Sequence, residues 1–285
     1  MGKASRRKGE QKRTTLNGAA VNPRFTALMN GKPVNAASAV MPILRSVDGG
    51  RRGEIIGTGF FVGDGLILTA RHVAEQAAID DPTLQTPLWC IQIRPETGEW
   101  HWRPIVDVRS SIRSDIALCR LKPTRHPTGE PLANPILKLR DHDPVNGTPV
   151  ATFAYPDSRI VRRGSRTRID LRPAFYEGEI VEHFPERRDD RTITWPCFQT
   201  SIHIHGGASG GPVFDALTGT VFAICTSSLD PYTDTSWVTK IHDAMNMAVF
   251  GDQTGDDRGP LTLTLRDLHP YAPVMGAARV PLGAK

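Results

Sequence analysis

Apolar residues along this chain come in short runs rich in Val, Ile, Phe and Trp, punctuated by Gly, Pro, Asp and Asn. That rhythm belongs to strands and turns rather than to long helices. A first set of strands is predicted over Val40–Arg45, Glu54–Val62, Leu66–Thr69, Trp89–Arg94, Trp102–Val108 and Asp115–Leu121, with one short helix from Ala70 to Ala78. Residues Lys122 to Pro135 carry prolines at 123, 127, 131 and 135 and read as a linker. A second set is predicted over Ile136–Leu139, Thr148–Ala154, Arg168–Arg172, Tyr176–Glu182, Thr192–Ile202, Gly211–Phe214, Thr220–Thr226 and Trp237–Ile241. Glu186–Arg191 reads as a charged hairpin tip, Ile241–Val249 as a short helix and Leu261–Leu265 as a strand-like piece. The pattern predicts an all-β chain in two units: a flexible arm over 1–36, a first unit over 37–125, a second over 126–250 and an extension over 251–285.

Composition narrows this only a little. The 285 residues are 39% hydrophobic, enough for a core, and the longest apolar run is far short of a membrane span. The net charge of +5 looks like a hint of nucleic acid, but residues 1–13 hold six basic residues against Glu10 alone. The rest of the chain is therefore formally neutral. Such a block reads as a solvated arm, with weak binding to nucleic acid, ribosomes or an anionic surface as the functional reading. No signal peptide is read after the arm, and the myristoylation-like start fails at Arg6. The expectation is a cytoplasmic protein. Cys90, Cys119, Cys197 and Cys225 lie in apolar, strand-like runs and read as reduced core thiols. No Cys/His spacing suggests a structural zinc site, and no cofactor is expected.

The candidate chemistry begins at Gly207-Ala208-Ser209-Gly210-Gly211-Pro212. Glycines let a backbone turn tightly, which would lift the Ser209 hydroxyl and aim the Gly207 and Ser209 N–H groups at one point, as an oxyanion hole requires. Taken singly, a plain structural turn is an alternative. Leu68-Thr69-Ala70-Arg71-His72-Val73 places His72 where a strand passes into a helix, and Ser114-Asp115-Ile116-Ala117-Leu118 places an acid at the head of an apolar strand. Each alone reads as an ordinary cap or turn residue. Together they supply a hydroxyl, a base for its proton and an acid to orient the base. Asp107 could stand in for Asp115, but it lies mid-strand; Ser201, Ser227 and Ser228 lack the glycine turn.

In the order His72, Asp115, Ser209, these three motifs resemble those of the chymotrypsin-like (trypsin-like) serine peptidases. The resemblance runs from about Val40 to Met247. It implies two six-stranded antiparallel β-barrels, with His72 and Asp115 from the first and Ser209 from the second, meeting in a cleft. It further implies a serine endopeptidase acting on a protein or peptide substrate through an acyl-enzyme, and places Thr226, Ser227 and Ser228 on one wall of the substrate pocket and His203 near its floor. His203 and His205 alternate on one side of a strand. They could make an acid-accepting pocket, a half-buried strand face or a metal site. Many relatives have an aspartate before the nucleophile that pairs with a freed N-terminus; here Ala208 stands there, so such activation is not expected. The other function classes are a catalytically silent module that binds peptide in the same cleft, and a protease directed by its basic arm or by a regulatory protein partner.

Overall fold

The computed structural model describes residues 24–47, 52–79, 88–95, 97–126, 128–163, 166–228, 235–249 and 263–269. The basic block at 1–13 lies outside them, as does most of the C-terminal extension. In chain order the elements are β1 (Thr26–Met29), β2 (Lys32–Asn35), β3 (Val40–Val47), β4 (Arg52–Gly63), β5 (Leu66–Thr69), α1 (Arg71–Ile79), β6 (Leu88–Arg94), β7 (Glu99–Ser110), β8 (Ala117–Leu121) and β9 (Ile136–Leu137). There follow β10 (Pro149–Ala154), β11 (Arg159–Arg163), β12 (Arg166–Asp170), β13 (Ala174–Phe184), β14 (Cys197–Thr200), β15 (Pro212–Asp215), β16 (Thr220–Ser228), β17 (Ser236–Lys240), α2 (His242–Met245) and α3 (Leu265–Leu268).

Two closed six-stranded antiparallel barrels dominate. The first is closed in the order β3-β4-β5-β8-β7-β6 and the second in the order β10-β13-β14-β17-β16-β15. Closure removes sheet edges. The first barrel is filled by Met41, Ile43, Phe60, Phe61, Ile67, Leu68, Ile91 and Leu118, and the second by Val150, Ile180, Phe198, Val213, Phe222 and Val238, all at most 1% exposed. The four cysteines are free and buried. Burial pushes the Cys119, Cys197 and Cys225 thiols up to about 12, and that of Cys90 higher, so all four sit as neutral core groups.

Several elements differ from the sequence reading. Within the arm expected over 1–36, the described residues begin at Arg24 and carry two strands. β1 and β2 form a hairpin through Asn30-Gly31, both at positive φ, and β1 pairs with β9. Its anchor is Phe25, which packs on Phe175 and Phe214 at 5.5 and 5.1 Å between ring centroids. β11, unforeseen, pairs with the expected β12. The strand expected over Thr192–Ile202 pairs only at Cys197–Thr200. The Asp189 carboxylate accepts from the Arg191, Thr192 and Ile193 N–H groups and turns that stretch into a loop. Of the strand-like piece expected over Leu261–Leu265, Thr264 bridges Ala248, and Leu265 opens the short helix Leu265–Leu268, started by the reciprocal capping box of Thr264 and Asp267. Leu261 and Thr262 lie outside the described residues.

The linker after β8 runs along the first barrel. The Lys122 N–H donates to the Pro104 carbonyl, 2.8 Å; Gln92 Nε2 to the Ala133 carbonyl, 3.1 Å; and the buried Arg103 guanidinium to Asn134 Oδ1, 3.0 Å. The boundary drawn between residues 125 and 126 falls inside a small loop closed by an Arg125–Pro131 bridge. Among the described residues no helix is long and apolar enough to cross a membrane.

The end of α3 is held to the first barrel by His269, whose Nε2–H donates to the Val62 carbonyl. Burial lowers its pKa below the ordinary 6.5 although that bond opposes the shift. The unfolded chain thus takes up a proton that the docked imidazole resists. This contribution is complete above about pH 6.5 and is lost as pH falls through the folded value. Thermal melts between neutral and mildly acidic pH are expected to show a smaller acid-induced fall in Tm for His269→Gln than for the natural chain. Parallel curves for the two would remove His269 from the acid response.

Candidate active site

His72 stands in the first turn of α1, where the chain leaves β5. The first turn of α1 itself contains no acid. The loop between β7 and β8 supplies one. Asp115, 3% exposed, accepts the His72 backbone N–H at Oδ1 (2.9 Å) and holds His72 Nδ1 at Oδ2 (2.7 Å). Its own carbonyl accepts the Arg71 N–H at 3.2 Å. One carboxylate thus caps the helix and orients the ring, so that Nδ1 carries the proton and Nε2 is left as acceptor. The imidazole is half-exposed, its side chain 43% accessible. The loop is braced by Ser111, whose hydroxyl accepts from the Arg113 and Ser114 N–H groups and whose carbonyl accepts from Arg71 Nη1 at 2.9 Å.

Ser209 belongs to the second barrel, in the turn before β15. Gly207 and Gly210 take φ of +90° and +85°, the left-handed region that glycine tolerates. Bonds from Ala208 N–H to the His205 carbonyl (3.1 Å), Gly211 N–H to the Ala208 carbonyl (2.9 Å) and Gly210 N–H to the Cys225 carbonyl (2.7 Å) fix the turn. Among the described residues neither the Gly207 nor the Ser209 N–H has an acceptor. Two such donors, separated by one residue in a tight turn, form the kind of concavity that receives an anionic oxygen. The Ser209 hydroxyl donates to the Thr226 carbonyl at 3.3 Å.

Sequence reasoning missed what joins the halves. Thr58, in β4 of the first barrel, donates its N–H to the Ser209 carbonyl and its hydroxyl to the Gly207 carbonyl, both 2.8 Å. The same hydroxyl accepts the Tyr155 N–H at 3.1 Å, and Thr69 Oγ1 donates to the Thr58 carbonyl at 2.8 Å. The carbonyls of the serine turn are thereby tied to the opposite barrel. The signal lies in Gly57-Thr58-Gly59, a polar residue between two glycines inside a buried strand, where the pattern by itself indicates only a strand.

The remaining predicted residues fall as follows. Asp107 pairs with Arg120 and is not the partner of His72. The Ser201 hydroxyl accepts the Glu179 N–H at 3.0 Å. Thr226 is buried, its hydroxyl bonded to that of Thr239, so it offers its backbone rather than its side chain. Ser227 and Ser228 pair through β16 with Trp237 and Ser236, and their side chains lie outside the description. His203 and His205 lie past the end of β14 rather than on a strand, half-buried with rings 4.3 Å apart and His205 6.1 Å from Tyr176, while Ile202 and Ile204, alternating with them, are buried.

The two closed barrels and their antiparallel order define the chymotrypsin-like fold. A family model described as a trypsin-like peptidase domain matches residues 57–224, more than half of the chain, and the chain belongs to that family. It is a trypsin-like serine protease. Among solved structures it is similar to the protease domain of MamO from Magnetospirillum magneticum in the apo form, with 17% identity and a TM-score of 0.51 over 73% of this chain and 94% of that one. It is also similar to Deg5, with 16% identity and a TM-score of 0.50 over 73% of this chain and 85% of that one. No curated protein matches it in sequence.

Thr58 is expected to be a positioning residue. Thr58→Val would leave the Gly207 carbonyl and the Tyr155 N–H without partners, at about 1–3 kcal/mol for each buried group. A misplaced serine turn should lower kcat about 10–100-fold with KM little changed. Thr58→Ser should restore kcat. A Thr58→Val enzyme that is less stable but turns over normally would confine Thr58 to a structural part.

Proposed function

We propose that the chain is a serine endopeptidase in which Ser209, His72 and Asp115 hydrolyse peptide bonds through an acyl-enzyme. The observation that carries this reading is the two-point hold of Asp115 on His72, at 2.9 and 2.7 Å, in a chain whose family supplies the serine turn across the cleft. Ser209 Oγ swings from the Thr226 carbonyl towards His72 Nε2 and attacks the substrate carbonyl carbon. Nε2 takes the hydroxyl proton. The carbonyl oxygen becomes an oxyanion that accepts from the Gly207 and Ser209 N–H groups. His72 then returns the proton to the leaving amine, the C–N bond breaks, and water repeats the sequence on the acyl-enzyme. Asp115 holds the Nδ1–H and stabilises the imidazolium.

Ala208 supports constitutive assembly of this site. It is fully buried and uncharged, and its N–H is already bonded within the turn. A freed terminal amine would find no carboxylate there. In the pocket, two half-buried imidazoles at His203 and His205 favour an acidic or polar substrate side chain over a basic one. Residues 1–13 carry the charge for weak attachment to nucleic acid, an anionic surface or a regulatory protein, and the cytoplasm is the proposed compartment.

The test is labelling of the uncleaved 285-residue chain with a serine-directed fluorophosphonate, read by mass at Ser209. Stoichiometric labelling without trimming is the expected result. A folded chain that refuses the probe would leave a cleft that binds peptide without turning it over. Labelling only after removal of residues 1–40 would contradict constitutive assembly.

A further inference from the structure

At the far end of β7 from the Asp115 loop, about 30 Å of strand away by the usual rise per residue, three side chains gather that the peptidase site does not use. Glu99 and His101 lie two residues apart on one face of β7, and His126 reaches them from the linker between the barrels. One ligand-capable atom from each lies within 4.8 Å of the others. His126 Nε2 is 3.7 Å from Glu99 Oε1, and the two imidazole centroids are 5.7 Å apart. A second observation is independent of that spacing. His101 Nε2 is buried from solvent and has no hydrogen-bond partner among the described residues. An orphaned buried ring nitrogen costs free energy unless something completes it.

We propose that Glu99, His101 and His126 bind a divalent transition metal, Zn2+ foremost. Two imidazoles and one carboxylate suit that class of ion better than Mg2+ or Ca2+, which take oxygen ligands. Ligands about 2.0–2.1 Å from zinc on a tetrahedron stand roughly 3.4 Å apart. Closing from 4.8 Å therefore takes side-chain torsions and no change of strand. The surroundings prepare the donors. Thr97 Oγ1 bonds Glu99 Oε2 at 3.2 Å and Arg94 stands 4.0 Å from the same oxygen, which leaves Oε1 to face His126. The sequence hid the site because its two segments are 25 residues apart, and only the return of the linker along β7 joins them. The ion would pin that linker to the first barrel.

The experiment is calorimetric titration of chelator-stripped, full-length protein with ZnCl2, with Tm followed in parallel. One equivalent is expected to bind in the micromolar range or tighter and to raise Tm. His126→Ala, in a loop, and Glu99→Gln should each weaken that equivalent at least about tenfold, since loss of even an outer-shell partner costs 10–100-fold. His203→Ala, in the other histidine pair, should leave it intact. The variants' circular dichroism without metal should match the natural chain. The proposal is overturned by absence of Zn2+ binding, by binding unchanged in His126→Ala, or by loss of the equivalent in His203→Ala alone.

Discussion

Ser209→Ala is expected to lower kcat/KM for peptide hydrolysis by about 10⁴–10⁶-fold, the range seen when the nucleophile of a serine triad is removed. The residual rate would come from the oxyanion donors, which are backbone groups and survive the substitution. Stability should hardly change. The hydroxyl makes a single 3.3 Å bond to the Thr226 carbonyl, on a half-buried side chain, and its loss leaves no buried donor unpaired. Fluorophosphonate labelling should vanish with turnover. Hydrolysis at the natural rate in a purified Ser209→Ala sample would falsify the triad assignment, and an intact Tm would show that the loss of activity is chemical rather than conformational.

Gly210→Ala should produce the largest loss of stability. A Cβ at Gly210 would stand 2.3 Å from both the Thr58 carbonyl oxygen and Thr69 Oγ1, and 2.7 Å from the Ala70 nitrogen. Two of those three atoms are backbone, so no flexible side chain can yield. The φ of +85° adds its own cost of about 1–2 kcal/mol for a residue with a Cβ. Gly147 is the matched control: φ is +82° and an added Cβ would meet nothing within 4 Å. In denaturant melts Gly147→Ala should cost only the backbone term, about 1–2 kcal/mol. Gly210→Ala should exceed about 4 kcal/mol, the range of severe core lesions, and should lose activity through displacement of the turn. Equal costs at the two positions would mean that the barrels part easily at this seam.

Much of this protein was legible because the signals are local. The strands of both barrels follow from alternating β-branched and aromatic residues, and β5 and β10 fall within a residue of the expected bounds. The His72, Asp115 and Ser209 motifs stand out because a strand end, a loop acid and a glycine turn each have short-range sequence signatures. Where local chemistry competed with pattern, the reading slipped. Asp189 folded an apolar strand candidate into a loop, and the capping box of Thr264 and Asp267 starts a helix at Leu265, the last residue of the strand-like piece. β1 escaped notice because it follows a long polar stretch and is held by the distant Phe175, Phe214 and β9.

By itself, then, the sequence determined an all-β chain, where most of its barrel strands lie and the three residue types of a hydrolytic site, since each of these depends on neighbours a few positions apart. For the acid that meets His72 the sequence already favoured Asp115, and the tertiary structure supplies the contact: Asp107 is spent on Arg120 across β7 and β8, while the buried Asp115 holds the imidazole at Nδ1. Tertiary structure alone decided that Thr58 clasps the serine turn from 149 residues away and that His126 returns to Glu99 and His101. The physical reason is the same in each case. A hydrogen bond or a ligand set is fixed by distances of a few ångströms, and barrel closure, not spacing along the chain, sets those distances.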